Sequence, residues 1–500
     1  MNPKKTDVRN KDRFLLIKNW LNEAFLFDVV FILGAIIFAG LLWWPLRFLP
    51  YYGESVDLVI NGARFLNERG FDPFVLKEME IAHQTLVPGM VAVVWKLFGD
   101  SREITRAVFI PFLSLLMIST YLLGKKLLSK AGAVVAAFTI GLMPVTVASL
   151  GLMFIDLLVV AIVMSAVALW QYKRSFWAML FLTLAVLMKG TAIFFLPMFV
   201  WWYWKRTKMA QGEYRVLLIP LLGWLGWHLY HAVTTGWWFL APARELVFPD
   251  NPVVLFKYVV FVLFNIVLNQ GVWILLIPGL LSLLWLTRKK STDLAFVEGV
   301  GLSILVFVGF WSIKGGYNDF QAVMVLPLLI VGSLYLIEKG VDRLWGLQYG
   351  WIVLAVSGVM TLLNLTLWYP ERGLVDGYEF RKPANLSYQD MILVGREAAG
   401  YIEASFPDAK IYGGFPEAYQ LTQPHQGYVS KRLDFSLCST YVEETNKQTI
   451  VYIHPFDATQ IACNQLREVH EVTPIKRFES NGVWIQLVGV NTASGSAEIE

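Results

Sequence analysis

"VVFILGAIIFAGLLWWPL", Val29 to Leu46, contains no charged residue. At about 1.5 Å per residue a helix of this length reaches across the apolar layer of a bilayer. The stretch before it, Met1 to Lys18, carries six Lys or Arg from Lys4 onward. No small-residue cleavage site follows the run, which closes on Trp43, Trp44 and Arg47, so it reads as a retained anchor with its N-terminus in the cytoplasm. The rest of the chain agrees. In 500 residues, 56% are hydrophobic and twenty are tryptophan, with a mean hydropathy of +0.53, which describes a polytopic membrane protein. The net charge of +4 is small and scattered, so nucleic acid is not an expected partner.

Apolar runs recur through the following three hundred or so residues, and the breaks between them sort by charge. Lys125, Lys126 and Lys130 mark one basic break, Lys173 and Arg174 another, then Lys205, Arg206 and Lys208, then Arg288 to Lys290, then Lys339 and Arg343. These are expected on the cytoplasmic side. The breaks at Gly151 to Asp156, at Lys189 and Gly190, at Gly236 to Lys257 and at Lys314 to Phe320 are poor in Lys and Arg and are expected outside, with Tyr51 to Thr105. About eleven spans satisfy the alternation, the last ending near Trp368, which sends the C-terminus outside. Phe176 to Met188 and Thr191 to Trp204 are short for full crossings. Tyr258 to Leu286, interrupted by Asn269, Gln270 and Gly271, reads as one long helix or as an outer helix plus a span.

Three parts follow: a cytoplasmic segment 1–27, a transmembrane domain 28–369 with its first outer loop at 50–105, and an extracytoplasmic domain 370–500. In the last, Tyr388 to Ala404 has helical spacing, while Thr449 to Ile453 and Val483 to Val490 are rich in β-formers. The fold class is therefore mainly α, a polytopic helical bundle with a small C-terminal α/β domain. Cys438 and Cys463 fit one disulfide in an oxidising compartment, or two separate thiols.

The first outer loop opens with "YYGESVDLVINGARFLNERGFDPF", Tyr51 to Phe74. Glu54, Asp57, Asn61, Arg64 and Glu68 recur at helical spacing, with Val56, Val59, Ile60, Ala63 and Leu66 on another face. Ser55 is a candidate cap and Gly70 a candidate stop. The helix is expected to lie along the outer membrane surface with its polar stripe toward water or protein. Asp156, among Phe154, Ile155, Leu157 and Leu158, is costly inside a membrane unless paired, and so marks either function or an ion pair. Lys189 sits at an outer turn, where it either meets an anion or snorkels to water. His228 and His231 share a helix face with Trp224 and Trp227; aromatic-belt packing is the better reading, because no third metal ligand is near in sequence.

The order of these phrases resembles the C-type glycosyltransferases, multispanning enzymes that use polyprenyl-phosphate sugars and include protein O-mannosyltransferases and aminoarabinose transferases. The resemblance covers most of the chain. It rests on Gly53-Glu54 and the surface helix, His83-Gln84-Thr85-Leu86, Leu97 to Ser101 with Arg106, Pro144 followed by Asp156, "LMKG" at Leu187 to Gly190, and "YNDFQAVMVLPLL" from Tyr317. Two departures stand out: Gly53 replaces the first acid of an Asp-Glu pair, and Gln84-Thr85 replaces a double proline.

The resemblance implies transfer of a sugar from an undecaprenyl- or dolichyl-phosphate donor to a lipid, glycan or protein acceptor at the outer face of the membrane, with inversion at the sugar carbon. A carboxylate near lipid has its pKa raised by desolvation and suits a general base. Glu54 is the first candidate, with Asp57 one turn away and Asp156 in support. Lys189, His83, Arg106, Lys314 and Tyr317 are the candidates for the donor phosphate. No cofactor is required; a divalent metal at Glu54 and His83 is compatible with the residues. A lipid-linked-sugar transporter or flippase is the alternative, disfavoured because the halves show no inverted repeat and the acids cluster near one surface. A sensor would explain the outer domain but not the carboxylate-bearing helix.

Overall fold

The computed structural model describes residues 23–53, 56–69, 84–205, 213–236, 251–288, 294–314, 318–345, 350–366, 386–414, 417–441, 448–453 and 472–490, with single positions at 463, 465 and 470. The first span is the helix Glu23–Trp43, ended by a 3-10 turn at Trp44–Leu46 that has Pro45 at its centre. Arg47 lies 3.5 Å above the Trp44 ring, as expected of an aromatic and a cation at the edge of a bilayer. At the other end Asp28 accepts from Lys125 Nζ at 2.8 Å and from the Tyr121 hydroxyl at 2.6 Å, so this acid is paired.

Four described helical stretches are long and apolar enough to cross a membrane: Phe25–Leu46, Arg102–Leu127, Tyr214–Thr235 and Ala295–Lys314. Lys130–Gly141 and Pro144–Leu152, bent by 49°, form a fifth crossing if taken together. Several further apolar helices are shorter, so the count of about eleven rests on the charge of the loops rather than on helix length. Ile155–Gln171 explains why length is a poor guide here. Leu157 through Ala168 are all buried in this helix, which packs between Ile110–Leu127 and Ser175–Met188; a helix apolar on every side belongs inside a bundle. The run from Tyr258 is two helices, Pro252–Val267 and Trp273–Arg288, parted at Gly271, whose φ is +67°.

The first-loop helix is a π-helical turn at Val56–Asn61 continued by an α-helix at Gly62–Arg69. Val56, Val59, Ile60, Ala63 and Leu66 are each at most 2% exposed, and they pack on the helix Leu86–Phe98. The apolar stripe is thus used against protein, which leaves the polar stripe of this amphipathic helix on its other face. On the polar stripe Arg64 donates to Asp100 at 2.7 Å.

Beyond the bundle lies a five-stranded sheet in the order β2-β1-β3-β5-β4. Its strands are β1 (Lys410–Gly413), β2 (Asp434–Leu437), β3 (Thr449–Ile453), β4 (Val472–Ser480) and β5 (Val483–Val490). β1 runs parallel to both β2 and β3, while β5 is antiparallel to β3 and β4. The β4-β5 hairpin turns at Asn481 and Gly482, both left-handed, as a two-residue turn between twisted strands requires. Helix Tyr388–Ser405 covers the β4-β5 end of the sheet, and a disulfide joins Cys438 to Cys463.

Among the described residues, this domain meets the bundle at Tyr51 and at Gly151, among other contacts. The Gln426 carbonyl accepts from the Tyr51 amide at 3.1 Å. The Tyr388 hydroxyl presses on Gly151, where an added Cβ would lie 2.0 Å from it.

Candidate active site

Two helix ends and two turns build the site. Helix Pro144–Leu152 stops at Met153, a non-glycine residue in the left-handed region at φ +57°. That reversal starts helix Ile155–Gln171, with Asp156 in its first turn. Phe154, between the two, stacks on Phe320 at 4.0 Å and so brings the 3-10 helix Asp319–Met324 alongside. Helix Ser175–Met188 ends at Lys189, whose backbone is extended, and Gly190 opens a 3-10 turn that runs to Phe195.

Lys189 Nζ donates to both carboxylate oxygens of Asp156 at 2.8 Å. The side chains are 12% and 4% exposed, so the pair sits in a low-dielectric pocket where each charge depends on the other. An ammonium carries three N–H donors; with two on Asp156, one remains for a further partner. Both carboxylate oxygens of Asp156 thus accept from Lys189.

Gly190 is held from the other side. Its amide donates to Gln84 Oε1 at 3.2 Å. Gln84 is 5% exposed and stands at the approach to helix Leu86–Phe98. Helix Leu218–Thr235 supplies Trp224 and His228, whose rings meet edge to face at 4.5 Å, and His228 also meets Trp227 at 4.8 Å. The packing expected for His228 is present, and it brings the imidazole to Gly190 as well. Sequence reasoning missed Gln84, Trp224 and His228 as neighbours of Gly190. The i, i+4 spacing of Trp224 and His228 places both on one helix face, but which face meets the lysine turn is a tertiary fact.

Of the other expected residues, Glu54, His83 and Tyr317 lie outside the described residues, as does the side chain of Asp57. Lys314 ends helix Ala295–Lys314 with its ammonium 4.8 Å above the Trp311 ring. Arg106 meets backbone carbonyls. It is 1% exposed and donates to the carbonyls of Gly151 and Pro50 at 3.0 Å and of Arg47 at 3.4 Å. Those bonds clamp the exit of the first span to the end of helix Pro144–Leu152. No group of three His, Cys, Asp or Glu among the described residues is placed to hold a metal ion.

Four residues past Lys189 begins an apolar groove of about 490 Å³, lined by Ile193, Leu196, Pro197, Val200, Trp201, Trp204 and Leu302. It follows helix Leu196–Lys205 away from the ion pair. Val200 and Trp204 are exposed along it, on a surface that can only be comfortable in lipid.

No protein-family model and no curated protein sequence matches this chain. Among solved structures, ArnT from Cupriavidus metallidurans in the apo state is similar at 14% identity with a TM-score of 0.54, the match covering 93% of this chain and 98% of ArnT. The same protein bound to undecaprenyl phosphate gives a TM-score of 0.51 at 14% identity over the same shares. The likeness covers most of both chains and shows the fold: this chain has the architecture of ArnT.

Proposed function

We propose that this protein is an integral-membrane glycosyltransferase that moves a hexose or pentose from a polyprenyl phosphate to an acceptor hydroxyl at the outer face of the membrane. The observation that carries the reading is the buried Asp156–Lys189 pair, with an apolar groove whose lining begins four residues further along the chain at Ile193. A buried cation with a donor to spare, close along the chain to a lipid-sized groove, suits a phosphate attached to a prenyl chain. The fold supports the reading, since the similar ArnT structure was solved with undecaprenyl phosphate bound. The Cys438–Cys463 disulfide supports an outer domain in an oxidising compartment.

In this mechanism the acceptor oxygen attacks the anomeric carbon as the bond from that carbon to the phosphate oxygen breaks. The acceptor proton passes to Glu54, with Asp57 near it in the chain. Both electrons of the broken bond leave with the polyprenyl phosphate, and Lys189 stabilises the charge that gathers there. Asp156 fixes the ammonium in position. A single displacement of this kind inverts the sugar carbon. The acceptor class is a lipid, glycan or protein presented at the outer face.

The test uses purified full-length protein in lipid nanodiscs with a panel of polyprenyl-phosphate sugars, scoring release of the lipid phosphate. Wild type is expected to turn over at least one donor, and Glu54→Gln is expected to retain donor binding while losing turnover by roughly a hundredfold or more, the scale of general-base catalysis. Full turnover by Glu54→Gln would remove Glu54 from the mechanism. Movement of donor between leaflets without cleavage of any donor would replace the transferase with a flippase.

A further inference from the structure

Two contacts made by the C-terminal domain fall on residues that touch one buried arginine. Arg106 Nε donates to the Gly151 carbonyl at 3.0 Å, and its guanidinium lies 5.3 Å from the centre of the Tyr51 ring. Gly151 is also where the Tyr388 hydroxyl seats, and the Tyr51 amide donates to the Gln426 carbonyl at 3.1 Å. Tyr51 is fixed further by Thr105, the chain neighbour of Arg106, their hydroxyl oxygens being 2.8 Å apart. The Gly151 carbonyl belongs to the last turn of helix Pro144–Leu152, where carbonyls lack partners within the helix and the helix dipole favours a cation. Arg106 is 1% exposed, so its charge is stabilised by these carbonyls instead of by water.

We propose that Arg106 and the docked C-terminal domain form a relay that positions the Asp156–Lys189 pair. The inference rests on the transferase reading for the pair's part in the reaction, and it adds what holds the pair in place. Between Gly151 and Asp156 the backbone is held at successive points. Met153 takes the left-handed reversal, the Phe154 amide donates to the Ser149 carbonyl at 3.0 Å, and the Phe154 ring is stacked on Phe320. A shift of the Gly151 carbonyl therefore moves the first turn of helix Ile155–Gln171, which carries Asp156 and through it the Lys189 ammonium. Close-packed interiors transmit such shifts instead of absorbing them. The planar fork of a guanidinium can hold several carbonyls at once, and Arg106 also donates to the Pro50 carbonyl at 3.0 Å, next to Tyr51 in the chain. The Tyr388 hydroxyl and the Gln426 carbonyl brace the two segments that this fork joins. Release of the domain frees both segments together, and the pair loses its alignment.

The experiment reads the pair in two ways on full-length protein. The first readout is the thermal unfolding midpoint, in detergent, of Asp156→Asn, Lys189→Met and their combination; its departure from additivity measures how strongly the two charges depend on each other. The same changes are then made in a Gly151→Ala background, where the new methyl group meets the Tyr388 hydroxyl. The departure is expected to shrink by roughly twofold or more, and adding Tyr388→Phe on the domain side should restore part of it. A departure untouched by Gly151→Ala would overturn the relay. Arg106→Lys, which keeps the charge and loses the fork, takes the place of Gly151→Ala if that variant fails to fold. The second readout is turnover of polyprenyl-phosphate sugars in nanodiscs by Gly151→Ala and Arg106→Lys with the pair intact. A fall in kcat of roughly ten- to a hundredfold at little-changed KM is expected, the scale of misplacing a reacting group by about 1 Å or less. A role in stability alone would lower the folded fraction and leave kcat per folded molecule at the wild-type value, and that result would overturn the relay too. A departure that shrinks while wild type cleaves no donor would uphold the relay and sink the transferase reading.

Discussion

Asp156 and Lys189 leave water together, and neither is stable there alone. Removing one partner of a buried pair strands the other charge, at a cost on the order of 3 kcal/mol. Lys189→Met is therefore expected to lower the thermal unfolding midpoint of the detergent-solubilised protein by several degrees. Asp156→Asn combined with Lys189→Met should lose less than the sum of the single changes. Strict additivity would mean that the two charges are already solvated and do not depend on each other. Both residues were visible in sequence because a charge inside an apolar run is conspicuous. Their pairing was not, because 33 positions separate them and no local period links a helix start to a later helix end. The carbonyl partners of Arg106 were not legible for a related reason: an arginine at the end of a loop looks the same in sequence whether its partners are phosphate oxygens or backbone carbonyls.

At the scale of elements, the contact between helix Tyr388–Ser405 and helix Pro144–Leu152 depends on the missing side chain of Gly151. Gly151→Ala must displace the Tyr388 hydroxyl, which would lie 2.0 Å from the new methyl group. Amide hydrogen exchange in the first turns of Tyr388–Ser405 is expected to accelerate in this variant. Adding Tyr388→Phe should recover part of the protection, since the ring carbon behind the hydroxyl stands 3.2 Å away; exchange that stays fast in the double variant would mean that the contact does not hold the helix. The helix itself, like β3 and β5, was legible from periodicity and β-branched content. β1 and β2 have only four residues each, too few to show a period. β4 reads "VTPIKRFES", an edge strand with Pro474, an irregular register between Pro474 and Lys476, and mostly exposed side chains, so its composition is that of a loop. The stripe on the first-loop helix was legible too, but hydrophobic spacing does not say whether lipid or protein will cover it.

For the whole molecule, the seam between the C-terminal domain and the bundle carries a titratable group. His425 is pushed down to about 4, first by burial and then by the nearby Arg64 guanidinium. Arg64 is paired with Asp100, and Arg102 lies against Gly427, two residues from His425. His425 Nε2 and Arg102 Nη1 are buried with no hydrogen-bond partner among the described residues. The sign follows from which state binds more protons. Above about pH 6.5, the ordinary value for histidine, the imidazole is neutral whether the domain is docked or released, and His425 adds no pH dependence. From there down to about 4, the released form takes up a proton that the docked form refuses, so docking weakens as pH falls and levels off below. Protease cleavage at the seam should therefore be faster at pH 5 than at pH 7.5, and His425→Phe should flatten the difference. An identical pH profile in that variant would place the titration elsewhere.

The Arg106 clamp also sets an order in time. Its guanidinium bonds to carbonyls at positions 47, 50 and 151, and a ribosome reaches the last of these only 45 residues after Arg106. At about 5–20 residues per second, that interval lasts on the order of several seconds. Through it the nascent chain carries a cation that lacks its final acceptor and must keep it in contact with water. The first span cannot be sealed as soon as it is made; its outer exit closes when the later helix arrives.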